Sequence, residues 1–204
     1  MPKSLDAQTG WSKILFYATR NVLFFFHDAD VRLLLNCRNL MKTLYLLRHA
    51  KSSWDDPELK DFERPLAERG LRDIPKMAAR FRQRGDTVGC VITSPALRAK
   101  TTAKLMADQI GFPPDEVFSN PELYFAGAGM FLKTVGLLDE HCQSAMLVGH
   151  NPAITEFANG VCDGRIDHIP TCGLLKLQFP VQHWEEIQEA SGELVYFDYP
   201  KKGD

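Results

Sequence analysis

The sequence predicts an α/β fold, a three-layer α/β/α sandwich around a mostly parallel sheet. Apolar runs of strand length recur along the chain; Gly, Pro or polar residues follow each of the first three, and then a helical pattern. That alternation is typical of a largely parallel sheet covered by helices on both faces. The composition of the 204 residues, 45% hydrophobic and 25% charged, is ordinary for one globular domain. It excludes collagenous, coiled-coil and low-complexity proteins.

Five segments have the length and composition of strands, and four have helical spacing. The first strand opens after Met41-Lys42, and the last two are joined through a turn at Ser191-Gly192. The predicted strands span 44–47, 88–93, 145–148, 174–179 and 194–199. The predicted helices span 67–84, 96–110, 129–140 and 152–162.

Two of the predicted helices carry further signals. In the first, Pro75 must either kink the helix or mark a later start, because proline lacks the N–H that an interior position needs. The second has Ser94 as its N-cap, Pro95 at the first helical position and Gly111 just past its end. The apolar face predicted for the first helix consists of Leu71, Ile74, Ala78 and Phe81.

The predicted domain covers residues 41–204, and residues 1–40 form an N-terminal extension. Apolar bursts in the extension, such as 22–26, are interrupted by polar and charged residues. They are too short for a secretory signal, which needs about 7 to 15 apolar residues, or for a membrane span of about 20. We expect Met41 to be the functional start and the extension to be dispensable, either disordered or a mis-assigned start. A helix packed on the domain is the alternative.

Charge and cysteine usage limit the partners of the protein. A formal net charge of -2 gives no global attraction for nucleic acid or anionic membranes, so neither is an expected partner. The five cysteines are odd in number and contain no CxxC pair, which indicates reduced thiols and a cytoplasmic location. No feature signals oligomerisation, so we expect a monomer. Any charged ligand must be captured by a local site.

Basic and imidazole side chains gather at the carboxyl ends of three predicted strands. They are Arg48 and His49 after the first strand, Arg98 one helical turn beyond the second, and His150 after the third. Ligands of open α/β sheets bind beyond these strand ends, so we expect the four side chains to lie together. Guanidinium groups match phosphate oxygens, and the helix after Ser94 adds backbone N–H groups and a positive dipole end. The sequence therefore predicts a site for a phosphate dianion.

The segments around these residues resemble the signatures of the histidine phosphatase (phosphoglycerate mutase-like) superfamily. The three matching segments are LLRHA at 46–50, SPALRAKTT at 94–102 and VGHNP at 148–152. A fourth, DFERPLAERG at 61–70, is similar to the SixA-type phosphohistidine phosphatase branch. The resemblance runs from Met41 to about Pro200. It implies a phosphoglycerate mutase-like fold and a phosphatase that needs no metal or other cofactor.

The resemblance also implies a role for each residue of the predicted site. His49 would be the nucleophile and would form a covalent phosphohistidine that water then hydrolyses. Arg48 and Arg98 would hold the equatorial phosphoryl oxygens and disfavour a charged His49, while His150 donates a further hydrogen bond. These four groups would supply the positive field that a metal ion provides elsewhere. Zinc binding by His49, His150 and His168 is an alternative without ligand spacing behind it.

One departure from the family pattern concerns phosphate binding. Mutase-type relatives place a phosphate-binding Asn where this chain has Asp55, whose charge would repel the substrate. Arg64 is the natural substitute and is expected to bind substrate. The alternative is a surface Arg64 paired with Glu63 or Asp61.

A second departure from the family pattern concerns the general acid that would protonate the leaving group. Glu122 is the nearest candidate for protonating a leaving alcohol, and Asp56 is a weaker one. An ordinary exposed Glu122 is the alternative. Phosphohistidine has a better leaving group than a phosphate ester and needs less help.

The interval between Arg98 and His150 is too short for the lid domain that phytase-like and mutase relatives insert there. A site without a lid is shallow, and it suits a phosphorylated side chain on a partner protein better than an enclosed metabolite. We therefore expect a phosphohistidine phosphatase that acts on a phosphorelay or phosphotransfer protein. A phosphatase for small phosphorylated molecules is one alternative. A non-catalytic phosphate-binding module is the other, and the retention of both histidines and both arginines argues against it.

Overall fold

The computed structural model describes residues 17–19, 22–24, 41–162, 165–188 and 192–203. The chain divides into two compact units, Met1–Leu40 and Met41–Asp204. In the first unit, strands β1 (Tyr17–Thr19) and β2 (Val22–Phe24) pair antiparallel. The expectation that residues 1–40 are disordered or helical falls mostly outside the described residues. That the extension is dispensable stays a prediction.

The second unit contains a six-stranded mixed sheet. Its strands are β3 (Lys42–Arg48), β4 (Cys90–Thr93), β5 (Phe118–Ser119), β6 (Ser144–Gly149), β7 (Leu174–Phe179) and β8 (Glu193–Asp198). Their order across the sheet is β5-β4-β6-β3-β7-β8. Strands β5, β4, β6 and β3 are parallel, whereas β7 runs antiparallel to β3, and β8 antiparallel to β7. The predicted mostly parallel sheet is confirmed.

Strand β3 shows why the central strands are apolar without interruption. Leu44 and Leu46 pack into the core on one face of the sheet, and Tyr45 and Leu47 into the core on the other. None of the four is more than 2% exposed. A strand with helices on both faces has no solvent side, so it loses the alternation of polar and apolar residues. In the first half of the edge strand β8 exposure alternates instead, with Glu193 and Val195 exposed and Leu194 and Tyr196 half-buried.

Helices cover both faces of the sheet and complete the three layers. The four α-helices of the described residues are α1 (Glu68–Gln83), α2 (Leu97–Ile110), α3 (Ala128–Gly136) and α4 (Ala153–Val161). Helices α1 and α2 share one core with the sheet, and α3 and α4 share the other. Helix α2 ends as predicted at Gly111, which has a left-handed φ of 81°. Among the described residues, none of the helices has the length and apolar composition needed to span a bilayer.

The structure excludes one of the two alternatives for helix α1 and corrects its predicted apolar face. The helix begins at Glu68 and continues through Pro75, so the proline does not mark a later start. Pro75 lies on the exposed face, where water can bind the Leu71 carbonyl that the proline leaves without an N–H partner. Leu71 shares that face and is 48% exposed, although the sequence placed it in the core with Ile74 and Phe81. The buried face is instead completed by Met77.

Two connections also differ from the predictions. The third helix was predicted to reach residue 140 but ends at Gly136, since glycine is a poor helix former. Beyond it, Asp139 accepts a hydrogen bond from the His141 N–H at 2.8 Å and forms a turn. The connection between β7 and β8 contains a 3-10 helix, Trp184–Gln188. Ser191, the first residue of the predicted turn, lies outside the described residues.

Candidate active site

The carboxyl ends of the central strands bring the predicted site residues together. Arg48 and Gly149 are partners in the pairing of β3 with β6, and the His49 N–H continues the ladder by donating to the Gly149 carbonyl at 3.1 Å. The rings of His49 and His150 consequently lie side by side, with their centroids 5.0 Å apart. The register of the sheet therefore places these two strand ends side by side, as the sequence predicted.

His49 is buried and held in one tautomer. Its Nδ1 lies 2.8 Å from the Ala50 carbonyl oxygen, which can only accept, so Nδ1 carries the proton and Nε2 keeps its lone pair. Burial lowers the pKa of His49 to about 3, and the nearby His150, Arg98 and Arg48 act in the same direction, while the hydrogen bond to Ala50 opposes them. His49 is therefore a neutral imidazole with a free nucleophilic nitrogen.

The backbone around His49 is fixed from two sides. The Ala50 N–H donates to the Thr102 hydroxyl at 3.0 Å, and that hydroxyl donates to the Arg98 carbonyl at 2.6 Å. On the other side, the Cys172 N–H is shared between the Arg48 and His49 carbonyls, at 3.1 Å from each. Cys172 takes a left-handed φ of 59° there. These contacts couple the position of the nucleophile to helix α2, which carries Arg98.

Arg48 is oriented by a segment that the sequence did not mark. Its Nη1 donates to the Ile169 carbonyl at 2.8 Å and lies 3.0 Å from Nε2 of His168. Its Nε is a buried donor that has no hydrogen-bond partner among the described residues. Burial, together with the charge of Arg98, lowers the pKa of Arg48.

His168 and Asn151 support the Arg48 guanidinium. The Asn151 amide donates to the Ile169 carbonyl at 3.0 Å, and its oxygen accepts from the Thr155 hydroxyl at 2.9 Å. The contact of His168 with the Arg48 cation disfavours zinc binding by His168, because zinc is a second cation. No cluster of three or more metal-ligating side chains occurs among the described residues.

His150 pairs with Ser94, and this contact corrects the predicted N-cap. Helix α2 begins at Leu97 with Ala96 as its N-cap residue, so Ser94 and Pro95 precede the helix. The Ser94 hydroxyl lies 2.8 Å from Nε2 of His150. The other ring nitrogen, Nδ1, is buried without a partner among the described residues, and it carries the ring proton when the Ser94 hydroxyl donates to Nε2. Burial and the charges of Arg98 and Arg48 lower the pKa of His150 to about 4, against the influence of Asp61.

Asp61 contacts Arg98 and Tyr124 at the site, and the sequence analysis missed this connection. Arg98 donates from Nη1 to the Asp61 carbonyl and from Nη2 to its carboxylate, the latter at 2.9 Å. Arg64 and the Tyr124 hydroxyl donate to the same carboxylate, each at 3.0 Å. Burial would raise the pKa of Asp61, but these hydrogen bonds and charges outweigh it and lower the pKa. No sequence spacing connects Asp61 with Arg98, which is why only its possible pairing with Arg64 was foreseen.

Arg64 is buried rather than exposed. Its Nε donates to the Ser53 carbonyl at 3.0 Å and its Nη2 to the Ser52 hydroxyl at 2.8 Å, while its guanidinium carbon lies 3.2 Å from the ring centroid of Trp54. The ion pair with Asp61 that the alternative named is present, but only 6% of Arg64 is exposed. Its nearest link to the phosphate site is the shared Asp61 carboxylate. A direct contact with substrate stays a prediction.

The carboxylates near the predicted site, including the two candidate general acids, form contacts with other residues. Glu122 pairs with Lys133 at 3.2 Å, and both side chains are about half exposed. Asp56 accepts from the Glu58 N–H, and Asp55 accepts from the Ser53 hydroxyl. Within the described part of the chain, none of these three carboxylates forms a hydrogen bond or ion pair with His49, His150, Arg48 or Arg98. A general acid role for Glu122 stays a prediction.

Comparison with known proteins agrees with this geometry. Residues 44–123 match the family model of the histidine phosphatase superfamily (branch 1). An uncharacterized protein of Arabidopsis thaliana, described as chloroplastic, is 32% identical over 167 residues, which cover 76% of this chain and 74% of that protein. A candidate phosphohistidine phosphatase SixA from Agrobacterium tumefaciens has a similar structure, with a TM-score of 0.67, 26% identity, and coverage of 78% of this chain and 98% of that one. The protein histidine phosphatase SixA complexed with tungstate shares the fold, with a TM-score of 0.67, 21% identity, and coverage of 78% and 97%.

The chain therefore belongs to the histidine phosphatase superfamily, which implies phosphatase activity with a histidine nucleophile on a phosphorylated substrate. Within that superfamily it is of the SixA type, and its fold is phosphoglycerate mutase-like.

Proposed function

We propose that the protein removes phosphate from phosphohistidine on a signalling or phosphotransfer protein, through a covalent intermediate on His49. The neutral Nε2 of buried His49 carries this proposal. Two buried nitrogens without a hydrogen-bond partner among the described residues, Nε of Arg48 and Nδ1 of His150, belong to the residues beside it, and we propose that both donate to the phosphoryl group. Arg98 adds a second guanidinium group, and a phosphoryl group bound to these donors would face the nucleophile.

In the first step, the Nε2 lone pair of His49 attacks phosphorus while the bond from phosphorus to the substrate imidazole breaks. The departing imidazole keeps the electron pair of that bond. It leaves as a neutral ring once its second nitrogen has taken a proton from solvent. Arg48, Arg98 and His150 hold the three equatorial oxygens as charge spreads over them.

In the second step, water attacks the phosphorus of phosphorylated His49. The bond to Nε2 breaks, its electron pair returns to His49, and the water proton is released with inorganic phosphate. The hydrogen bond from Nδ1 to the Ala50 carbonyl can persist throughout, so His49 keeps its orientation and tautomer. The guanidinium groups provide the positive field, and we propose that no metal ion is needed.

The surroundings of the site favour phosphohistidine over phosphate esters. An alkoxide leaving group needs a proton from the enzyme, whereas imidazole does not. Asp61, the carboxylate at the pocket, has a lowered pKa and accepts hydrogen bonds from two guanidinium groups, so it is a poor acid. The SixA relatives, whose names include phosphohistidine phosphatase activity, support the same substrate class. We further propose that the enzyme acts in the cytoplasm as a monomer.

A substrate panel with radiolabelled phosphoryl donors tests the proposal. We expect turnover on a phosphohistidine-containing phosphotransfer protein to exceed turnover on glycerate and sugar phosphates. We also expect an acid-labile, base-stable label on the protein that is absent from His49→Ala. Preference for the esters would favour a phosphatase for small molecules, and binding of phosphate without label or turnover would favour a binding module.

A further inference from the structure

Three aromatic side chains border the phosphoryl pocket, and we call Phe62, Tyr124 and Phe125 the aromatic wall. Tyr124 is at its centre, with its ring centroid 6.0 Å from that of His150. The Phe62 ring meets Tyr124 edge to face at 5.0 Å, and the Phe125 ring lies 4.2 Å away at 56°. The wall is therefore continuous from the exposed surface to a ring of the catalytic site.

The outer rings of the wall are poorly buried. Phe125 is 90% exposed and Phe62 is 41% exposed. A phenyl ring that remains in water contributes little apolar burial to folding. Both rings have Tyr124 as an aromatic neighbour, and most of the Phe125 ring is open to a ligand.

Tyr124 is tied to the phosphate-binding groups. Its hydroxyl donates to the Asp61 carboxylate at 3.0 Å, and Arg98 donates to the same oxygen at 2.9 Å. A phosphoryl group held by Arg98 therefore has the wall beside it. In-line attack by His49 directs the leaving group away from Nε2, toward the open side of the pocket that Tyr124 flanks next to His150.

We propose that the aromatic wall binds the leaving group of the substrate and selects a planar aromatic or heteroaromatic ring bonded directly to the phosphoryl group. Phenyl and phenol rings pack well against other flat rings in edge-to-face or offset arrangements, and a polyol or glycerate chain offers no such surface. This inference rests on the proposed function, for which the ring is the imidazole of phosphohistidine. A phenyl ring bonded through oxygen offers the same chemistry.

Paired small donors, one with a ring and one without, test the wall. The first pair is phosphoimidazole and phosphoramidate, both with a phosphorus–nitrogen bond, and the second is phenyl phosphate and methyl phosphate. For each pair we take the ratio of kcat/KM for the ring donor to that for the ringless donor; the change in this ratio from wild type to variant measures the contribution of the wall, because the intrinsic reactivity of the two donors cancels. We expect Phe125→Ala to lower this ratio about 3- to 10-fold, the strength typical of an aromatic pair. Phe125→Tyr should restore it.

Leu137→Ala is the matched control. Leu137 is also a large exposed apolar residue, 76% exposed, but it follows the C-terminal end of α3, before the chain enters the opposite end of the sheet. The ratio of kcat/KM for ring and ringless donors in Leu137→Ala should equal that of the wild type. The rate at which label leaves phosphorylated His49 should not depend on Phe125, because the leaving group has already departed.

The outcomes separate the two proposals. An unchanged ratio in Phe125→Ala, or a loss confined to a phosphorylated protein substrate, would overturn the wall as a leaving-group site; the latter result would assign it to protein docking. If phosphoimidazole is inert but the phenyl phosphate ratio responds to Phe125→Ala, the wall stands and the phosphohistidine function fails. A response in the phosphoimidazole ratio supports both.

Discussion

The low basicity of His49 makes the folded protein sensitive to mild acid. Burial, with the charges of His150, Arg98 and Arg48 acting in the same direction, lowers the pKa of His49 from 6.5 to about 3. In the unfolded chain the imidazole regains water and titrates at its ordinary pKa. Below pH 6.5 the unfolded state therefore binds a proton that the folded state does not. The resulting loss of stability is absent well above pH 6.5, grows as the pH falls, and is complete near pH 3.

The magnitude follows from the two pKa values. At pH 5, His49 alone removes about 2 kcal/mol from the free energy of unfolding, compared with about 0.2 kcal/mol at pH 7. His150, whose burial lowers its pKa to about 4, adds a loss in the same direction. Small domains are stable by roughly 5 to 15 kcal/mol, so these two imidazoles take a large share of the total between pH 7 and pH 5.

Urea unfolding followed by tryptophan fluorescence at pH 7 and pH 5 measures the effect. His49→Asn keeps an amide donor for the Ala50 carbonyl but has no proton to gain. We expect its loss of stability between the two pH values to be about 2 kcal/mol smaller than that of the wild type. His141→Asn, which changes an exposed histidine, should retain the full wild-type loss. Equal losses in the wild type and His49→Asn would refute the reasoning.

Four further tests address the contacts and charges of the pocket. Thr102→Val leaves the buried Ala50 N–H unpaired, so urea unfolding should show a loss of about 1 to 3 kcal/mol; an unchanged midpoint would exclude this contact as a support. Gly149→Ala places a methyl group 2.5 Å from the Phe131 ring, and thermal unfolding should show a loss of about 1 to 3 kcal/mol unless the ring moves freely. Asp61→Asn removes the charge that orients Arg98 and Arg64 but keeps a side-chain acceptor, so we expect kcat/KM to fall about tenfold in steady-state kinetics; an unchanged or raised value would show that competition with Asp61 outweighs its role in orienting the arginines. Dialysis against EDTA should leave turnover unchanged, and a loss restored by a divalent cation would contradict metal independence.

The convergence of Arg48, His49, Arg98 and His150 could be predicted because it depends on a general property of parallel sheets. The carboxyl ends of neighbouring strands meet at one edge, whatever the side chains are. Recognising three apolar runs was enough to place the four side chains together. The central part of each of these strands followed from the same runs, since strands covered on both faces are apolar throughout. The strand ends did not, because β3 spans Lys42–Arg48 where 44–47 was predicted, and β4 begins at Cys90 where residue 88 was predicted.

The hydrogen bonds that other residues form with these four side chains could not be predicted in this way. Ser94 has the local pattern of an N-cap, but its hydroxyl pairs with His150, which is 56 residues further along the chain. The same holds for Asp61, which reaches Arg98 across 37 residues, and for the support of Arg48 by Ile169. A polar side chain bonds the nearest suitable partner in space, and local spacing does not report which distant partner that is.

The carboxylate of Asp61 also affects how the enzyme ends its cycle. Both terminal nitrogens of Arg98 already donate to Asp61, so an arriving phosphate dianion meets a guanidinium group whose charge is partly neutralised. Displacing Asp61 from Arg98 costs the same for inorganic phosphate and for a whole substrate, but phosphate has no leaving group whose contacts offset that cost. We therefore expect the contact that orients Arg98 in the resting pocket also to favour release of the product.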